Sequence, residues 1–192
     1  SSHYGSNEPI IPRRAQGYTG RDSPRNAQYL SMTQPYSAGA LVSTVDDLAR
    51  WDAALYTETL LKRSSLERMW TPYRLRNGRS TDYGYGWGIS TLRGNRSIDH
   101  GGGIPGFSTY ALRLPDDRVY VAVLCNSDSP KAAPGYIAKR LAAIVIGRPF
   151  PEPVAVRVDP AVVAGHAGVY QLDGTTRRTV PVEADRLYTQ RT

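Results

Sequence analysis

His100 stands immediately ahead of three glycines in Asp99-His100-Gly101-Gly102-Gly103-Ile104-Pro105-Gly106, and the chain then runs into the strand-like Phe107-Ser108-Thr109-Tyr110-Ala111-Leu112-Arg113-Leu114. A polar residue followed by three glycines leaves backbone N–H groups that no side chain shields, as a substrate oxyanion or carboxylate requires. Read as chemistry, this segment is half of an active site. Two other formal readings fail on context. Gly101, Gly103 and Gly106 fit the Gly-x-Gly-x-x-Gly dinucleotide pattern, but Pro105 interrupts it and a strand follows where a helix is required. His-Gly-Gly-Gly also has the form of an oxyanion loop that works with a Gly-x-Ser-x-Gly elbow, and the chain has no such elbow.

Metal chemistry has no support either. His3, His100 and His166 are far apart in the chain, and the single cysteine, Cys125, lies in the apolar run Val119-Tyr120-Val121-Ala122-Val123-Leu124-Cys125, where it reads as a small buried residue. No organic cofactor is implied. The net charge of +7 is spread along the chain without a basic cluster interleaved with aromatics, so a nucleic-acid partner is not expected. No run of 18 apolar residues spans a membrane. The polar start without an initiator methionine suggests a processed chain or a piece of a longer one.

The elements that must hold this segment follow from pattern. Residues 1–35, rich in Ser, Pro, Gly, Asn and Arg, form an irregular lead-in. A helix begins after Ser43 or Thr44, each with an aspartate three residues on, and carries Val45, Leu48, Trp51 and Leu55 at helical spacing. A shorter helix spans Ser65 to Trp70 and stops before Pro72. Tyr85 to Leu92, Ser97 to His100, Phe107 to Leu114 and Val119 to Cys125 read as strands of an antiparallel sheet. Pro130 to Ile146 reads as a helix closing over one face. The fold class is therefore α/β of the α+β type, an antiparallel sheet flanked by helices, over residues 1–147. A proline-rich linker at 148–160 leads to the start of a small, incomplete β module at 161–192. Trp51, Trp70 and Trp87 read as core anchors, Tyr83 and Tyr85 as core-packing residues before pocket-lining ones, and Asp99 as a plain surface acid before a partner of His100, since adjacent strand residues point to opposite faces.

Ser37-Ala38-Gly39-Ala40-Leu41-Val42-Ser43-Thr44-Val45-Asp46-Asp47-Leu48, Tyr83-Gly84-Tyr85-Gly86-Trp87-Gly88, His100 to Phe107 and Leu124-Cys125-Asn126-Ser127 follow one another in that order. Over residues 34–147 this order resembles the C-terminal half of the serine β-lactamase-like family: class C β-lactamases, D-Ala-D-Ala carboxypeptidases, penicillin-binding proteins and related esterases. The resemblance implies a β-lactamase/transpeptidase-like fold, an acyl-enzyme mechanism without a cofactor, a small-molecule or peptidoglycan-like acyl substrate, and a periplasmic or secreted location. It makes His100-Gly101-Gly102 the counterpart of the family's substrate-binding Lys-Thr-Gly triplet. It also makes the Gly103 N–H one oxyanion-hole donor, the second coming from the nucleophilic serine.

Two departures bear on substrate. Gly101 lacks the hydroxyl that helps hold a carboxylate, and His100 replaces a permanently charged lysine by a group whose reference pKa is about 6.5. Strong β-lactamase activity is therefore less expected than peptidase or esterase activity. A larger departure is that Lys62, Lys131 and Lys139 are preceded at three positions by Thr59, Asp128 and Tyr136, so the chain has no Ser-x-x-Lys, and it has no Tyr-x-Asn. The expectation is a catalytically silent chain whose nucleophile lies in a missing N-terminal part. The alternative is a non-catalytic binding or structural module with a degenerate site. Unpaired strand edges make self-association a further expectation.

Overall fold

A computed structural model of the chain describes residues 2–6, 9–131, 133–154, 157–183 and 186–191. It divides into two compact units, Ser1–Phe150 and Pro151–Thr192. In the first, short strands β1 (His3–Tyr4), β2 (Tyr18–Thr19) and β3 (Arg25–Asn26) precede the helical turn α1 (Tyr36–Gly39), strand β4 (Leu41–Val42) and helices α2 (Val45–Ala54) and α3 (Arg63–Met69). Strands β5 (Gly88–Leu92), β6 (Asn95–Ile104), β7 (Phe107–Leu114) and β8 (Val119–Cys125) then form one antiparallel sheet in chain order, and helix α4 (Pro134–Val145) follows.

Turn chemistry sets the register of this sheet. Arg93 and Gly94 both have positive φ, at 53° and 89°, as a two-residue type I′ turn demands, and they close the Leu92–Asn95 pair. Pro105 and Gly106, the latter at φ 84°, close the Ile104–Phe107 pair. Side chains then alternate between the faces. Ile98 and Trp87 pack with Leu55, Leu66 and Trp70 on one side, while Leu92, Leu112 and Leu114 pack with Ala142 of α4 on the other. α2 starts where Thr44 accepts a hydrogen bond from the Asp47 N–H at 3.2 Å, which selects Thr44 over Ser43 as its cap.

Several sequence expectations shift. The strand expected from Tyr85 starts at Gly88, because Asp82 and Gly86 take positive φ and the Gly84 N–H bonds the Trp87 carbonyl in a turn. β6 runs through the glycines, which stay paired with Tyr110, Thr109 and Ser108. The last helix begins at Pro134 instead of Pro130, with Ala132 outside the described residues. Trp70 and Trp87 are buried as expected, but Trp51 is exposed and stacks on Trp87 at 5.5 Å, and Val45 is also exposed. Cys125 is half-buried instead of buried.

The second unit contains helix α5 (Pro160–Gly165) and strands β9 (Gly168–Gln171), β10 (Arg177–Val180), β11 (Val182–Glu183), β12 (Arg186–Leu187) and β13 (Gln190–Arg191). α5 was not expected from the pattern. Asp159 caps it by accepting from the Ala161 N–H at 2.8 Å, and Pro160 occupies its first turn. The strands pair as β13-β10-β9 and β11-β12, and no described residue of this unit is buried.

Candidate functional site

In an antiparallel pair, successive residues send their backbone N–H and C=O alternately toward and away from the neighbouring strand. The Ile104–Phe107 hairpin fixes that alternation, so Ile104, Gly102 and His100 exchange bonds with β7. On the other side, the Leu92–Asn95 hairpin turns Asn95, Ser97 and Asp99 toward β5, whose pairing ends with Gly88 opposite Asp99. Gly101 and Gly103 continue the second series. Their N–H groups therefore face a strand edge that has no paired strand among the described residues. Gly103 is exposed, and a Cβ built there would have only the Phe107 carbonyl within reach, at 4.0 Å.

The turn that ends this edge is held from outside. The Asp128 carboxylate accepts the Gly106 N–H at 2.9 Å, and the Tyr18 N–H bonds the carbonyls of Gly106 and Asn126. A Cβ on Gly106 would lie 2.6 Å from the Ala27 Cβ and 2.8 Å from the Gly17 Cα, so glycine is required by contact as well as by φ. The lead-in segment, irregular as expected, thus clasps the β6–β7 turn. The Gly106 N–H holds the Asp128 carboxyl below its usual range, with help from Thr19. The stability from this contact is present above the ordinary carboxylate range and is lost as pH falls through the lowered value.

The four residues singled out by sequence lie consecutively on β6 but divide between two faces. His100 and Gly102 share a face with Ala111 and Thr109, whereas Gly101 and Gly103 share the other with Tyr110 and Ser108. On the first face the Tyr83 hydroxyl and His100 Nε2 are 2.7 Å apart, with the two rings edge to face at 5.8 Å between centroids. Tyr83 was expected to pack in the core, but it is 42% exposed and Tyr85 is 68% exposed. A small hairpin positions Tyr83: its carbonyl accepts the Tyr73 N–H at 2.9 Å and the Thr81 hydroxyl at 3.1 Å. Gly84 is required beside it, since a Cβ there would meet the Met69 carbonyl oxygen at 2.2 Å. The signal for Tyr83 was in the sequence, because Asp82, Gly84 and Gly86 around it are turn formers. Thr109 was also missed: a Cβ on Gly102 would meet its hydroxyl at 2.6 Å, so the bare glycine makes room for a cross-strand hydroxyl on the His100 face.

The second face is a support. Asp99 accepts hydrogen bonds from the Tyr110 hydroxyl at 2.6 Å, Ser97 at 3.1 Å and Ser90 at 3.3 Å, so it is the centre of a network and not a plain surface acid. Burial first, and then the bond and charge of Asp99, push the Tyr110 hydroxyl well above the ordinary phenol range, so it remains a donor at neutral pH. A Cβ on Gly101 would lie 3.2 Å from the Tyr110 ring, and one on Gly135 of α4 would lie 3.0 Å from it. A side chain at Gly101 would therefore crowd the Tyr110 ring. No group of three or more His, Cys, Asp or Glu residues able to hold a metal is found among the described residues, and no described helix is long and apolar enough to cross a membrane.

Residues 1–145 match the family described as Beta-lactamase. The chain is 34% identical over 157 residues to Penicillin-binding protein 4* of Bacillus subtilis (strain 168), covering 78% of this chain and 35% of that protein. The octameric penicillin-binding protein homologue from Pyrococcus abyssi superposes with a TM-score of 0.62 at 23% identity, over 99% of this chain and 46% of that one. A D-stereospecific amidohydrolase from Streptomyces sp. superposes with a TM-score of 0.54 at 25% identity, over 66% of this chain and 39% of that one. The chain spans about a third of the length of the curated relatives it matches.

Proposed function

The chain belongs to the beta-lactamase family, and from that premise we propose that it is the C-terminal part of a serine acyl hydrolase, contributing the substrate-binding strand and one oxyanion donor to a site completed by upstream sequence. The observation that carries this reading is the edge of β6 at Gly103, exposed and with no paired strand among the described residues. A serine hydroxyl from the longer protein attacks the substrate carbonyl, forming the Oγ–C bond as the carbonyl π electrons move onto oxygen. The Gly103 N–H and the serine's own N–H stabilise that oxyanion. The serine proton passes to the leaving group as the bond from carbon to that group breaks and the carbonyl reforms; water then adds to the acyl carbon, and as the Oγ–C bond breaks one water proton returns to the serine and the acid is released.

Esters and amides fit this edge better than β-lactams. His100 supplies a hydrogen-bonding group without permanent charge, and Gly101, crowded by the Tyr110 ring, offers no hydroxyl to help hold a carboxylate. His100, Gly101 and Gly102 line the bound acyl group in this reading. The chain alone, without Ser-x-x-Lys or Tyr-x-Asn, does not acylate. Incubation with a fluorescent penicillin and with an ester-type serine probe tests this directly. The longer protein should be labelled at one serine outside residues 1–192, and the 192-residue chain should stay unlabelled. A labelled serine within the chain, or an unlabelled longer protein, would overturn the proposal, and the second result would favour a non-catalytic module of the same fold.

A further inference from the structure

We propose that Tyr83 is a positioning residue for His100, its hydroxyl donating to Nε2 so that the neutral ring carries its proton on Nδ1. The 2.7 Å separation admits either direction of donation, and acid–base chemistry chooses between them. A phenol, with a pKa of about 10, is a much better donor than a neutral imidazole N–H, and an imidazole nitrogen is a much better acceptor than a phenol oxygen. The hydrogen bond made by one ring nitrogen sets which nitrogen holds the proton. His100 makes no other side-chain hydrogen bond among the described residues, so Nδ1 is left to solvent or to a ligand on the strand. If the ring is protonated, the phenol oxygen accepts from Nε2–H instead, and the ring keeps its place.

Tyr83 is itself built in and is not a passing surface contact. Its backbone is fixed by Tyr73 and Thr81, and it bridges Gly88 at the start of β5, the strand paired to β6 just before His100. The consequence for substrate rests on the acyl-hydrolase reading above: a single N–H donor matches a neutral carbonyl acceptor of an ester or amide. The tautomer itself does not depend on that reading.

With three histidines in the chain, long-range 1H–15N correlation spectra resolve His100, and His100→Gln assigns its signals by their loss. At a pH where the ring is neutral, the Nδ1–H form should predominate in the unaltered protein. Tyr83→Phe, which removes only the hydroxyl, should move the tautomer ratio about fivefold toward Nε2–H, while Tyr85→Phe should leave it in place. Predominance of Nε2–H in the unaltered protein would overturn the inference whatever the variants do, as would an unmoved ratio in folded Tyr83→Phe. Neither result depends on hydrolysis, so failure here is distinguishable from failure of the probe-labelling test.

Discussion

Replacing Asp52 by asparagine should lower the unfolding free energy by about 3–5 kcal/mol, the usual loss when one partner of a buried ion pair is removed. Arg113 Nε and Asp52 Oδ1 lie 2.9 Å apart, with the arginine side chain 0% and the aspartate side chain 8% exposed. The contact is coulombic more than a well-aligned hydrogen bond, and neither Nη atom of Arg113 has a hydrogen-bond partner among the described residues. The guanidinium is instead flanked by the rings of Tyr56 and Trp70, each at 4.7 Å. Arginine cannot shed its charge, so losing the carboxylate strands a cation in the core.

The nearby Tyr120 hydroxyl is pushed up to about 12, mainly by burial. Urea unfolding of the unaltered chain and of Asp52→Asn at neutral pH, followed by tryptophan fluorescence, measures that loss. The double replacement Asp52→Leu with Arg113→Met should cost much less than Asp52→Asn alone, because it removes the stranded charge together with the desolvated carboxylate. Equal losses in the single and double variants would contradict the pairing.

On the proposed mechanism, removing the Gly103 N–H by Gly103→Pro should lower kcat of the longer protein by about 10²–10³-fold, the usual effect of losing one oxyanion donor. Proline is tolerated at an edge position whose N–H faces away from the ladder, so the strand should persist. Gly103→Ala keeps the N–H and meets only the Phe107 oxygen at 4.0 Å, so it should lose far less. Similar kcat values for the proline and alanine variants would exclude the Gly103 amide from the chemistry.

Local pattern made much of the sheet legible. Phe107–Leu114 and Val119–Cys125 match the expected strands end to end, because hairpin turns with Pro, Gly and Asp bracket uninterrupted strand formers. The glycine segment stood out as a candidate site because no other histidine in the chain is followed by a run of glycines. What escaped depends on contacts across strands. Nothing in Asp99 alone reveals that Tyr110, eleven residues on, reaches it from the neighbouring strand. Tyr83 was misread because its aromatic ring suggested core, whereas the turn residues around it were the better guide. Arg113 sits at an alternating position of a strand, where only tertiary structure shows that the face it enters is the core.

Amide hydrogen exchange at the glycines of β6 is the most direct test of the site. Gly102 is paired to β7 and should exchange on the order of tenfold or more slowly than Gly103, whose amide looks onto the open edge. Gly101 should behave like Gly103. A Gly103 amide protected as strongly as that of Gly102 would mean that its hydrogen is already committed within the fold, leaving no donor for an oxyanion.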